Sequence, residues 1–334
     1  MPNLPAAALA AAIETNIVER CAYLGRWPRV EVHDDPDKLW VISDIQSTLF
    51  NQVARARFLA ADATEAIEQT LAPYAARRLT GFWWSGPGDQ PADLLPQLET
   101  TGRPVGRIPG LAAELEAMDF DHQVPDGLEI RPVTDAGLLD FWVQVIAVAW
   151  ALLPAFVPLY TEFCAHQALG ADARWRLYVA LLRGTPVGTS SVFLGSGSAG
   201  LYHVGVTPQA RRQGIGTALT LTPLHDALGM GYRAATLFST HMAINLYRRL
   251  GFREYCTIGQ YVFGLPDRVT TEKLQWELGR LGYDTGGADG IYSNRTISAV
   301  KAFQTDRGLP VDGMVEPQTR RALQDALASM ETGA

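Results

Sequence analysis

Apolar and polar positions alternate in period along this chain, and the period changes mark its elements. The opening MPNLPAAALAAAIETNIVER carries apolar residues at helical spacing and predicts an amphipathic first helix. Strand-like KLWVISDI, helix-like ATEAIEQTLAPYAARRL, strand-like GFWWSG and two further helix-like stretches, PADLLPQLETTG and PGLAAELEAM, follow in turn. Alternation of strand and helix predicts an α/β arrangement for this first zone, which ends where Asp, Pro and Gly cluster in AMDFDHQVPDG (117–127).

The middle zone opens on a strand, LEIRPVTD, and an apolar helical stretch, AGLLDFWVQVIAVAW. Three strands are predicted next, Arg176 to Leu182, Thr185 to Leu194 and Gly200 to Val206, joined by the short glycine-bearing turns RGTP and GSGSAG and therefore antiparallel neighbours. A helix with Leu221, Leu224 and Leu228 on one face follows; Pro223 within it removes a backbone bond or bends it. Strand AATLFS, helix MAINLYRRLG and strand EYCTIGQYVF complete the zone.

From about Asp267 the chain holds a half-repeat. LGYDTGGADGIYSNRTISAVKAFQ and RGLPVDGMVEPQTRRALQDAL share the order Asp-Gly, apolar pair, polar residues, Thr, helix, which places Thr296 and Thr319 at helix starts. The whole is a small helical module.

Composition narrows the function without choosing it. A chain of 334 residues with 47% hydrophobic residues is ordinary globular protein with room for two or three domains. Its net charge of −7 argues against nucleic acid as a partner. Cys21, Cys164 and Cys256 lie far apart, which indicates neither a zinc site nor a disulfide framework and suits a reducing cytoplasm. The alanine-rich start lacks preceding basic residues and carries Glu14 and Glu19, unlike a secretory signal, and no run is long enough to span a membrane.

The chemistry concentrates in RRQGIGTALT (211–220). Two glycines one residue apart at a helix start let the backbone approach a ligand, and the free amides there, flanked by Arg211 and Arg212, suit a phosphate or diphosphate. The stretch is neither a Walker loop nor a dinucleotide fingerprint.

VGVTPQARRQGIGTAL resembles the acyl-CoA loop of the GNAT superfamily of N-acyltransferases, with Arg211, Gly214 and Gly216 at the Arg/Gln-x-x-Gly-x-Gly/Ala positions. About 30 residues on, STHMAINLYRRLGF resembles the second signature of that superfamily through Ala243, Leu246, Tyr247, Gly251 and Phe252, with Thr240 where an Asn is usual. The resemblance implies a mixed sheet with flanking helices. It implies contacts to acyl-CoA from Val204, Gly205, Val206, Arg211, Arg212, Gln213, Gly214, Ile215, Gly216, Thr217, Ser239 and Thr240, and no metal. It also implies that Tyr247 assists the departing thiolate, a role for which a phenol with a pKa near 10 is suited; packing is the competing role. His203 is the candidate general base, against a purely structural hydrogen-bonding role, and strand alternation turns its neighbour Tyr202 to the other face.

The first zone is similar to the amino-terminal half of tandem GNAT proteins but has no glycine loop, so it is expected as a degenerate GNAT-like domain; Trp83 and Trp84 either line an acceptor groove or fill the core. The third zone resembles the peptidoglycan-binding-domain-like module through Leu274, Gln275, Asp289, Gly290, Thr296, Phe303, Gln304, Asp312, Gly313 and Thr319, with Ser293 and Glu316 in place of glycines. The expected domains are therefore 1–122, 126–264 and 268–334. The expected activity is transfer of an acyl group, acetyl by default or a longer fatty acyl, from acyl-CoA to a primary amine of a small molecule or peptide in the cytoplasm. The rival is a silent CoA-binding scaffold whose last module binds peptide or cell-wall glycan. Acceptor, general base and the choice between monomer and homodimer stay open.

Overall fold

The computed structural model describes residues 4–100, 105–149, 152, 154–239, 243–264, 268–290, 292–309, 311, 313, 315 and 317–332. In the first segment come α1 (Ala6–Tyr23), β1 (Val30–Asp34), β2 (Leu39–Ser43), β3 (Gln52–Ala54), α2 (Ala63–Ala76), β4 (Gly81–Ser85), α3 (Leu94–Thr100) and β5 (Val105–Glu114). In the second come β6 (Leu128–Pro132), α4 (Ala136–Ala149), α5 (Val157–Ala168), β7 (Trp175–Leu182), β8 (Thr185–Leu194), β9 (Ala199–Val206), α6 (Ile215–Gly229), β10 (Ala234–Phe238), α7 (Ile244–Arg249) and β11 (Arg253–Phe263). The third holds α8 (Arg268–Arg280), α9 (Asn294–Asp306) and α10 (Pro317–Thr332).

Among the described residues the strands join in one mixed sheet, ordered β1-β2-β3-β4-β11-β5-β10-β9-β8-β7-β6. Successive residues face opposite sides: Ala112 and Trp84 join the core with α1, α4 and α5, whereas Leu111, Ala113 and Trp83 pack on the other face with α6, α7, α2 and α3. The sheet does not divide between the first and second segments. β11, from the second, lies antiparallel between β4 and β5 of the first, and β5 pairs in turn with β10.

PGLAAELEAM is therefore not the helix its composition predicts; most of it is β5, a strand with neighbours on both edges. Fully burying Leu111 contributes about 2 kcal/mol, which outweighs the few tenths per residue by which Ala, Leu and Glu favour helix, and Leu111 and Ala112 are fully buried. β1, β3 and α5 are elements the pattern did not predict. α6 runs unbroken through the buried Pro223.

The half-repeat of the third segment is a repeated hydrogen-bond network. Gln275 donates to Thr296 Oγ1 (2.9 Å) and accepts from the Gly290 amide (2.8 Å); Gln304 donates to Thr319 Oγ1 (3.2 Å) and accepts from the Gly313 amide (2.9 Å). Its apolar cluster includes Leu274, Leu278, Phe303 and Leu323, all fully buried.

Candidate active site

Among the described residues β9 and β10 run parallel but pair only at Ala199↔Ala235 and Gly200↔Thr236, and then diverge. Beyond that point β10 stays bonded to β5 on its other edge, and the amide of Ser239 donates to Pro109 O (3.2 Å). The edge of β9 over residues 201–206 thus faces a gap inside the sheet, and Val204, Gly205 and Val206 are half-buried there.

A bulge bends β9 at this place. Thr189 faces Gly205 and Ser191 faces Tyr202, so His203 and Val204 together oppose Ser190; His203 has φ 55° and its carbonyl accepts from Thr189 Oγ1 (2.9 Å). This corrects the alternation expected for Tyr202 and His203. Both rings pack on Trp175, the imidazole stacked at 5.4 Å and 26° and the phenol edge-on at 6.4 Å.

His203 does not suit the role of base. Ser191 Oγ lies 2.7 Å from its Nδ1 and accepts from the Trp175 indole (3.0 Å), which can only donate. Nδ1 is thereby already engaged in a hydrogen bond with the serine hydroxyl, whichever of the two donates. Burial, and second the nearby Arg20 guanidinium, push the imidazole down to about 3. A neutral ring so weakly basic is a poor acceptor for an ammonium proton. A pocket with room for about one water adjoins it, lined by Trp142, Tyr160, Gln167 and Trp175.

The glycine loop lies past the end of β9. Arg211, Arg212, Gln213 and Gly214 are exposed, Ile215 is buried, and Gly216 and Thr217 are half-buried in the first turn of α6. Gly214, the residue before that turn, has φ 81°, and Arg212 has φ 64°, so the backbone curls into a concave nest. Among the described residues no side chain caps α6, whose first intrahelical bond runs from the Ala218 amide to Gly214 O, and free amides at such a helix start suit an anion. Arg211 is partly engaged on Val206 O (3.2 Å).

Tyr247 sits on α7, and the residue before it touches the loop: a Cβ placed on Gly216 would lie 3.7 Å from Leu246 Cδ2. The Tyr247 ring is 6% exposed and meets Phe252 edge-on at 5.9 Å, and burial pushes its phenol up to about 12, so it holds its proton at neutral pH. The helix bearing Tyr247 thus neighbours the first turn of α6, and Val204 of β9 packs against the same apolar cluster as Tyr247. Ser239 is buried at the end of β10, and Thr240 lies outside the described residues.

The residue that sequence reasoning missed is Arg20 of α1, 7% exposed beneath Tyr202. Nothing local marks it, because its surroundings come from four distant strands. Trp84 joins it with an indole that donates to Gln52 Oε1 (3.1 Å), whereas Trp83 fills the core of the opposite face. Among the described residues no cluster of His, Cys, Asp and Glu is arranged to hold a metal ion, and no helix is long and apolar enough to cross a membrane.

Residues 173–254 match the Acetyltransferase (GNAT) domain family and residues 268–323 the peptidoglycan binding domain family. A mycothiol acetyltransferase from Pseudarthrobacter chlorophenolicus is 29% identical over 147 residues, 40% of this chain and 44% of that protein. The N-acetylmuramoyl-L-alanine amidase CwlL of Bacillus licheniformis is 54% identical over 37 residues, 11% of this chain and 10% of its own. The chain therefore matches less than half the length of either curated relative. A GCN5-related N-acetyltransferase from Kribbella flavida has a similar fold, with a TM-score of 0.59 at 20% identity over 75% of this chain and 95% of that one.

Proposed function

We propose that this chain, which carries a GNAT acetyltransferase domain followed by a peptidoglycan binding domain, transfers an acyl group from acyl-CoA to a primary amine. The proposal is supported by three neighbouring features: a strand edge that has no sheet partner among the described residues, an uncapped helix start with two glycines, and a protonated phenol on the helix that rests against that start.

The α6 amides and Arg212 would hold the diphosphate, and the β9 edge over Val204 to Val206 would receive the pantetheine amides as a neighbouring strand would. The amine nitrogen attacks the thioester carbonyl; the N–C bond forms, the C–S bond breaks, the amine proton leaves to water, and the thiolate takes a proton from Tyr247, which solvent restores. The relation to an acetyltransferase supports acetyl as the acyl group.

The three helices of the last segment serve the proposal as a module for peptide or cell-wall glycan. An open groove there is lined by Trp276, Arg280, Tyr283 and Arg295, and Trp276 is 55% exposed with the Arg280 guanidinium 4.9 Å over its ring. An amine-bearing peptide or wall precursor met in the cytoplasm fits this pairing of acetyltransferase domain and module. The test is a panel of such amines with acetyl-CoA, read as thiol release and acetylated product. CoA binding without turnover of any amine would instead support a silent scaffold.

A further inference from the structure

Arg20 is a buried cation with no anion beside it among the described residues. Its neighbours on the same side of the sheet are rings: the guanidinium carbon lies 5.1 Å from the Tyr202 centroid, 5.5 Å from Trp84 and 5.9 Å from Trp175. Its hydrogen bonds go to neutral groups, the Tyr202 hydroxyl among them, and the others are long. One Nη reaches Gln52 Oε1 at 3.4 Å, an oxygen that also accepts from the Trp84 indole (3.1 Å) and the Cys21 thiol (2.9 Å), and Cys21 Sγ is 3.9 Å away. Its Nε has no partner among the described residues.

The contrast with other arginines is direct. Arg26 forms a two-pronged pair with Asp172, Arg29 pairs with Asp44 and Arg174 with Glu19, all at more exposed positions, yet no carboxylate among the described residues stands within ion-pair distance of Arg20. A buried charge without a counter-charge is strongly disfavoured, and cation–π contacts recover only part of the lost hydration. Such a residue is kept where something else brings the anion.

Its place says what that is. Tyr202 precedes His203 at the bulge of β9, and Phe238 ends β10; the two rings, both half-buried, touch at 5.6 Å, and Phe238 also touches Trp84 at 5.2 Å. Arg20 therefore lies behind the rim of the opening between the two diverging strands, on the face of α1 and α4, whereas the glycine loop serves the face of α6. Donor and acceptor would enter from opposite sides.

We propose that Arg20 is a specificity residue that binds a carboxylate carried by the amine acceptor, so that the acceptor is an amino acid or a peptide bearing a free carboxylate near its amine. This rests on the function proposed above. A flat guanidinium matches a planar carboxylate in two-pronged fashion, with a geometry that a tetrahedral phosphate does not share. The positive field also favours the neutral amine, the form that attacks, over its ammonium.

The experiment compares amino acids and dipeptides with their C-terminal amides as acceptors for the full chain at saturating acetyl-CoA. A free carboxylate should raise kcat/KM by at least about 30-fold. In Arg20→Met this preference should vanish through a rise in KM for the acids, with the KM for acetyl-CoA unchanged, and Arg20→Lys should restore part of it. A second measurement is independent of turnover: N-acetylated amino acids, added with CoA, should quench tryptophan fluorescence saturably in the wild type, through Trp84 and Trp175, and their amides should not. Acids and amides equal in both rate and binding in the wild type would overturn the proposal, even if the Arg20 variants fail to fold. Selective binding of acids without acetyl transfer would leave it standing and overturn the transferase function instead.

Discussion

Leu246 Cδ2 stands 3.7 Å from where a Cβ on Gly216 would lie, so the helix bearing Tyr247 rests on the first turn of the helix that the glycine loop opens. That spacing is ordinary van der Waals contact, and a larger side chain at Gly216 should be tolerated by the fold. Gly216→Glu would instead put a carboxylate among the amides proposed to hold the diphosphate. Calorimetry should show acetyl-CoA affinity reduced by at least about tenfold with the melting temperature nearly unchanged; unaltered affinity in a folded variant would remove the loop from the site.

Tyr247→Phe keeps the ring against Phe252 and deletes the hydroxyl. Under conditions where chemistry limits, kcat should fall by about tenfold, the low end for acid–base assistance because a CoA thiolate is a fair leaving group, and CoA affinity should hold. Loss of CoA affinity together with stability would make Tyr247 a packing residue.

The pH dependence of the reaction should belong to the acceptor. With the His203 imidazole held down to about 3, it stays neutral across the working range, so kcat/KM should rise through the pKa of each acceptor's ammonium and shift with the acceptor used. A fixed inflection near 6.5 that disappears in His203→Gln would restore the histidine as base. Folding linkage carries the matching sign: the unfolded chain binds this proton at about 6.5 and the folded one only near 3, so His203 contributes stability that is lost as pH falls through that window.

The glycine loop and the helix bearing Tyr247 could be read from the chain because each is local. The spacing of Gly214 and Gly216 before a helix and the run from Ala243 to Phe252 each lie within ten residues or so, and the backbone chemistry follows from the residue types. The half-repeat was legible for the same reason, and Thr296 and Thr319 do stand at helix starts. β5 was misread because its two flanking strands, not its own composition, decide its conformation. The bulge that sets His203 beside Tyr202 depends on Ser190 and Ser191 across the ladder, and Arg20 acquires its rings from β4, β7 and β9; neither has a signal within a short window.

Shared strands make a prediction about cutting the chain. Residues 1–122 and 126–264 expressed apart should each be insoluble, because β11 is missing from between β4 and β5 in the one and has no neighbours in the other, whereas co-expression should restore a soluble pair. A chain ending at Leu265 should stay folded, since the last three helices have their own apolar cluster. Circular dichroism and size exclusion decide both, and independent folding of 126–264 would show that the continuous sheet is not needed for stability.

The most direct measurement is acetyl-CoA turnover by the full chain with a panel of amines, read at once as free thiol and as the mass of one acetyl group gained on nitrogen. Thiol and N-acetyl product should appear in equal amounts, both should fall at least about tenfold in Gly216→Glu at acetyl-CoA well below its KM, and both should slow in Tyr247→Phe. Thiol release without acetylated amine, or product formed at the wild-type rate by Gly216→Glu, would contradict the proposed function.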